Sequence, residues 1–120
     1  MATVVHKPTQ IKSAGNKPKI IKEFVGLVNT KTEELSIAVM DSPQGWEEPG
    51  QRPEFNEYTL VTEGQLHVKT KERDYDVRAG ECFMAPKGEW VKYSTPHQGG
   101  AKYVAICLPA FSPQTVRRDA

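Results

Sequence analysis

Short apolar runs interrupted by turn residues predict an all-β fold, and three observations carry that reading. Nine glycines and nine prolines are scattered through 120 residues, which is punctuation for many chain reversals. Apolar residues between them recur with period two: Leu35, Ile37 and Val39 share one face of the run Leu-Ser-Ile-Ala-Val-Met. No window shows a long apolar stripe at helical spacing. A chain of this length fits one domain and buries roughly 65% of its unfolded surface, enough for a core without metal or disulfide staples.

In chain order, residues 1–18 lack sustained periodicity and read as an N-terminal arm, basic through Lys7, Lys12 and Lys17 and broken by Pro8, Gly15 and Pro18. The barrel domain is expected over residues 19–120. Its first strand spans Ile20, Ile21, Phe24 and Val25 and stops at Gly26; the second follows at residues 35–40. Pro49, Gly50 and Pro53 keep residues 45–56 out of a fully hydrogen-bonded sheet interior, so this stretch is a rim segment. Residues 57–62 and 65–71 flank Glu63-Gly64 and are read as a hairpin. Strands are also expected at 75–78, 82–85 and 89–94. The last long strand, 101–108, is apolar nearly throughout and is expected to be covered on both faces.

Sixteen basic against fifteen acidic residues leave a formal charge of +1, so no global field draws the chain to nucleic acid or anionic lipid. Neither a basic stripe nor an aromatic ladder points to nucleic acid, and no run of eighteen apolar residues points to a membrane. Cys82 and Cys107 lie in apolar runs without CxxC spacing and read as buried reduced thiols of a cytoplasmic protein.

At two stretches the sequence resembles the cupin superfamily, small double-stranded β-helix (jelly-roll) barrels. Gly45, Glu57 and Gly64 match the family's first motif, a Gly, five residues, His-x-His, three or four residues, Glu, six residues and Gly. Gly80, Pro86 and Gly88 match the second, a Gly, five residues, Pro-x-Gly, two residues and His. The tail after Cys107 is similar to the end of a group of short bacterial single-domain cupins. The departures are informative: Gln51 and Pro53 replace the first motif's histidines, and Val91 replaces the second's, leaving Glu57 alone of the four usual ligands. An amide, a proline, a valine and one carboxylate lack the donors for a tightly held transition metal, so no cofactor is expected. A weak divalent site from Gln51, Glu54 and Glu57 remains open if a bulge near Pro53 turns Glu54 inward. His67 and His97 are further inward candidates; alternation places His67 outward, between Leu66 and Val68.

If Glu57 and Val91 keep the family's inward direction, alternation brings Gln51, Phe55, Glu57 and Tyr93 into the barrel mouth, a mixed small-molecule pocket with Val91 beside it. A carboxylate enclosed there loses solvation, which raises its pKa and suits it to general acid or base work. A structural carboxylate bonded by neighbouring strands is the other role open to Glu57, and a core aromatic the other role open to Tyr93. Trp46 is expected on the rim, stacked on a ligand, and Trp90 on the outside or at a subunit contact. In some metal-free small cupins that dehydrate sugar-like aldehydes, a lysine in a similar Asn-Lys segment reaches the pocket, so the resemblance makes Lys17 a candidate.

These residues imply a small polar or sugar-like ligand and a metal-independent lyase or isomerase acting by dehydration, epimerisation or enolisation. Glu57 is its acid or base, Tyr93 and Gln51 polarise the substrate oxygen, and Lys17 is the cationic partner. A non-catalytic sensor and a metal-dependent cupin with an atypical Gln/Glu site are the rivals. The resemblance also implies a homodimer.

Overall fold

The computed structural model describes all residues from Met1 to Ala120, folded into nine strands with no helix. They are β1 (Thr9–Ile11), β2 (Ile20–Val25), β3 (Ser36–Ser42), β4 (Trp46–Glu47), β5 (Asn56–Thr70), β6 (Asp74–Arg78), β7 (Cys82–Ala85), β8 (Val91–Thr95) and β9 (Ala101–Leu108). All pairings are antiparallel. One sheet runs β1-β2-β3-β9 and continues into the first half of β5, which also pairs with β7. The opposing sheet takes the second half of β5 together with β6, β8 and β4.

β5 is therefore the strand on which the two sheets turn. The hairpin expected at Glu63-Gly64 does not form: residues 56–70 are one strand of 15 residues. Gly64 has φ of 74°, and the register against β9 shifts between Val61 and Glu63. Without an Asn-Gly or Asp-Gly pair the chain bends rather than reverses. A Cβ on Gly64 would lie 2.1 Å from the Gly100 carbonyl oxygen, so only glycine permits this crossing.

The main core fills the space between the sheets with Trp46, Val61, Leu66, Val68, Val77, Ala85, Val91, Tyr93, Ala101 and Tyr103. A second cluster of Phe55, Cys107 and Val116, with Phe111 against it, closes the other end. Period-two alternation of β9 puts Ala101, Tyr103, Ala105 and Cys107 inside. Its other face is not covered as the apolar run suggested: Val104 and Ile106 are half-buried and Leu108 is 39% exposed. Cys82 is likewise exposed rather than buried, because it lies on the outer face of β7; Cys107 is buried.

Residues 1–18 carry β1, whose Thr9, Gln10 and Ile11 pair with Glu23, Lys22 and Ile21 of β2. Beyond it the chain is clamped to the strip around Gly45. The Asn16 amide donates to the Gly45 carbonyl at 3.0 Å, and the Asn16 side-chain oxygen accepts from the Glu47 N–H at 2.8 Å. The C-terminal tail also folds back: the Asp119 N–H donates to the Gly50 carbonyl at 2.8 Å, and Arg118 bridges to Gln51.

Candidate functional site

The barrel encloses a cavity of about 280 Å³ between β2, β3, β5 and β9, walled on the open side by both chain ends. Residues 11–14 and Lys19 come from the N-terminal side, and Phe111, Pro113, Val116 and Arg118 from the C-terminal side. Alternation along β2 continues inward from Lys19 through Ile21 to Glu23; along β5 it brings in Phe55, Glu57 and Thr59. Glu23 is spoken for structurally, since its Oε2 accepts the Val28 and Asn29 N–H groups at 3.0 and 2.9 Å.

Glu57 is the centre of the polar group. Its Oε1 accepts the Tyr93 hydroxyl at 3.1 Å, and its Oε2 faces the Cys107 thiol, which donates at 3.8 Å. The surface that Glu57 keeps is cavity wall, and burial pushes its carboxyl above the ordinary value of 4.5, against the hydrogen bond from Tyr93 and the charge of Lys19. Burial likewise raises the Tyr93 phenol, reinforced by Glu57 and Glu48, so Tyr93 is a proton donor over the whole neutral range. Glu48 follows Trp46 with the same parity and is buried; desolvation lifts its carboxyl too, the repulsion of Glu57 adds to this, and Lys19 works against it.

Lys19 is the buried amine of the chamber, whose wall also carries the Arg118 guanidinium. Its Nζ donates to the Tyr103 hydroxyl at 3.0 Å, approaches Met40 Sδ at 3.5 Å, and lies 3.8 Å above the Trp46 ring. Burial lowers its pKa while Glu48 and Glu57 oppose that shift. The Tyr103 hydroxyl is held in turn at 2.9 Å from Ser42 Oγ. Gln51 is buried and lines the cavity, and its Oε1 is a buried acceptor that no protein donor meets. Such an atom calls for a donor from outside the chain.

Of the residues expected at the site, Gln51, Phe55, Glu57 and Tyr93 meet in this cavity. Val91 is buried in the core, pairing its backbone with Gln51 rather than lining the space. Three expectations are corrected. Lys17 lies outside: it is exposed, and its Nζ donates to the Gln44 carbonyl at 2.9 Å, because Pro18 ends the clamp to Gly45 before the chain turns inward at Lys19. Trp46 is 1% exposed and donates its Nε1–H to the Ala14 carbonyl at 3.0 Å, so it is a core residue that carries Lys19 on its face and not a rim platform. Glu54 points out and pairs with Arg117, so no bulge brings it to Gln51 and Glu57.

Lys19, Glu48, Tyr103 and Arg118 were not singled out in the sequence, and Cys107 only as a buried thiol and not as a neighbour of Glu57. Parity exposes two of them: Lys19 stands two residues before inward Ile21, and Tyr103 two before Ala105. Arg118 follows only from the tail folding back, which no local pattern encodes.

A cupin metal centre would draw on the positions of Gln51, Pro53, Glu57 and Val91. Only Gln51 and Glu57 have donor side chains, and no three His, Cys, Asp or Glu side chains are arranged to hold an ion. The donor set does not fit a transition metal. His67, the other inward candidate, is outside between buried Leu66 and Val68, with Nδ1 2.9 Å from Asp76 and Nε2 3.1 Å from Asp74. His97 joins the same surface cluster, 3.1 Å from Asp76.

The fold has known counterparts. Over its whole length the chain superposes with a TM-score of 0.75 on 87% of the polyketide cyclase RemF from Streptomyces resistomycificus, at 20% identity. It matches 98% of ethanolamine utilization protein Q from Salmonella typhimurium over 88% of this chain, with TM-score 0.68 and 17% identity. A variant of Bacillus subtilis oxalate decarboxylase gives TM-score 0.75 and 16% identity, over 98% of this chain and 33% of that one. In sequence, the chain is 43% identical over 101 residues to a Myxococcus xanthus protein named endoribonuclease YbeY; that match takes in 84% of this chain but 34% of the relative. The chain thus spans about a third of the length of that curated relative. The Cupin domain family model matches residues 38–107, from the cavity face of β3 to the Cys107 thiol beside Glu57, and the chain belongs to the cupin family.

Proposed function

We propose that the cavity binds a small polar organic molecule bearing a carbonyl or hydroxyl group, and that the protein is a metal-independent lyase or isomerase with Glu57 as its proton-transferring group. The observation that carries this reading is the enclosed set of Glu57, Tyr93, Lys19 and the unmet Gln51 oxygen in one 280 Å³ space. Desolvation raises the Glu57 carboxyl above its ordinary value, which makes it a weaker acid and a stronger base than a solvated carboxylate and suits it to proton transfer. The Tyr93 phenol is a fixed donor beside it, and the Gln51 oxygen orients a substrate hydroxyl or N–H. Ile11, Ile21, Phe55 and Phe111 give an apolar wall of the kind that suits a small ring or short chain. The named polyketide cyclase among the structural neighbours supports organic chemistry in such a barrel by analogy of fold alone.

The test is a thermal-melt panel of hydroxy-aldehydes, hydroxy-ketones and sugar acids, with products followed by NMR. A stabilising compound that Glu57→Gln binds but no longer converts supports the reading. Stabilisation without product from the wild type instead makes the protein a sensor, and loss of folding in Glu57→Gln assigns Glu57 to structure. One equivalent of transition metal per chain in protein purified without chelator overturns the metal-independent part.

The acting unit we propose is a cytoplasmic homodimer. Val39, Val104 and Leu60 are in register across three strands on the outside of the larger sheet, with Ile37, Ile106, Tyr58 and Met84 in the adjoining row. Met84 is 67% exposed, and Val39, Leu60 and Leu108 about 40%. A continuous apolar sheet face of this kind suits a second copy of the same face.

A further inference from the structure

We infer that Lys19 is a nucleophilic amine that condenses with the carbonyl carbon of a small aldehyde or ketone bound in the cavity. The inference rests on the reading of the cavity as a carbonyl site, and goes beyond it by naming a covalent step and the atom that makes it.

The argument begins with what Lys19 lacks. It lines the cavity, yet it has no carboxylate within ion-pairing reach, which a buried lysine kept for structure alone ordinarily has. Its Nζ is held by the Tyr103 hydroxyl and by the faces of Trp46 and Tyr103, at 3.8 and 5.3 Å from the ring centroids. Aromatic faces and a phenol oxygen accommodate an ammonium, but they also pack against a neutral amine, so this cradle does not commit the nitrogen to its charged form. Desolvation favours the same neutral form, and the free amine is the nucleophile. The exposed Lys17 makes the contrast: its Nζ lies outside the cavity and donates to the Gln44 carbonyl.

The partners for proton transfer are in the same space. The Lys19 lone pair attacks the carbonyl carbon, a C–N bond forms, and the carbonyl π pair moves to oxygen, which takes a proton from Glu48, the carboxyl that burial pushes up to about 7. The nitrogen's proton passes by way of solvent in the cavity to the Glu57 carboxylate, which the Tyr93 hydroxyl holds as an acceptor. The resulting hydroxyl then leaves as water with that proton returned by Glu57, and the nitrogen lone pair closes the C=N bond. Water is the only product besides the iminium, and no oxidant or reductant is required. The iminium withdraws electrons from the neighbouring carbon, and Glu57, a carboxylate again, is the base available to take that carbon's proton, the step shared by enolisation, epimerisation and dehydration.

The experiment incubates the full chain with glycolaldehyde, and in parallel pyruvate, together with sodium cyanoborohydride, and maps adducts by peptide mass spectrometry. Thermal melts with each probe run alongside. The expected result is a reduced adduct on Lys19 formed at least about tenfold faster than on Lys17, since each unit by which an amine's pKa falls raises its free-base fraction about tenfold. Lys19→Arg, which keeps a charge but not the primary amine, loses that adduct without changing labelling of surface lysines. Lys19→Met serves as a second variant if the arginine disturbs the fold. Stabilisation by a probe with labelling spread over surface lysines overturns the imine and leaves the carbonyl site standing. Neither stabilisation nor enrichment at Lys19 with either probe overturns both.

Discussion

Replacing Tyr93 by Phe isolates the bond between the phenol and Glu57. The variant removes the hydroxyl that donates to Glu57 Oε1 at 3.1 Å and leaves the ring against Phe83, 6.5 Å away between centroids. A hydrogen bond to a charged group contributes about 1.5–3 kcal/mol and one to a neutral group about 0.5–1.5. The difference, about 1–1.5 kcal/mol, is what the bond contributes to keeping Glu57 ionised, and at about 1.4 kcal/mol per pKa unit it corresponds to about one unit. Glu57 in Tyr93→Phe should therefore titrate about one unit higher than in the wild type. Because the folded-state pKa is raised above the ordinary 4.5, the wild type is most favoured below that value and loses stability as pH rises through the folded pKa. The variant's loss continues to higher pH. Its destabilisation should thus grow from about 1 kcal/mol under acid conditions to about 2–2.5 kcal/mol once Glu57 is ionised in both proteins. Urea unfolding across the pH range, with NMR titration of the Glu57 side-chain carbon, measures both. A destabilisation that does not change with pH, or a Glu57 titration that moves down, refutes the account.

Two other perturbations read other parts of the molecule. Val104→Glu on the outer face of the larger sheet should convert a dimer to a monomer in light scattering while leaving the circular dichroism spectrum intact; a wild type that is monomeric at micromolar concentration removes the interface. At the surface cluster, burial lowers the His67 pKa but the hydrogen bonds to Asp76 and Asp74 outweigh it, so the net shift is upward. The stability His67 adds is present below pH about 6.5 and lost as pH rises through the folded value. His67→Asn should therefore cost under about 1 kcal/mol at pH 5.5 and almost nothing at pH 9, because the cluster is partly exposed and screened. A cost that increases with pH contradicts the pairing.

Much of the barrel was legible because strands advertise themselves by alternation. Residues 101–108 and 82–85 fall where the apolar runs place them, and inward Phe55, Glu57 and Tyr93 follow from period two anchored on motif positions. What stayed hidden depends on where the chain goes after a strand ends. Glu63-Gly64 carries the composition of a reversal, but the Gly100 carbonyl packed against Gly64 shows a crossing instead, a contact made from 36 residues away. The choice between Lys17 and Lys19 was equally non-local. Both precede the first long strand, and only the clamp of Asn16 on Gly45 and Glu47 decides which one enters. Trp46 looks like a rim residue beside its glycine turn; the Ala14 carbonyl, 32 residues earlier, draws it into the core.

Both ends of the polypeptide wall the chamber, Ile11 to Ala14 from one side and Phe111 to Arg118 from the other. A chain in which either segment has come away keeps Glu57 on β5 and Lys19 just before β2, without the walls that enclose them. Proteolytic cleavage before β2 or after β9 would unroof the compartment while sparing most of the core, so stabilisation by a cavity-bound compound should be lost before the β-sheet signal is.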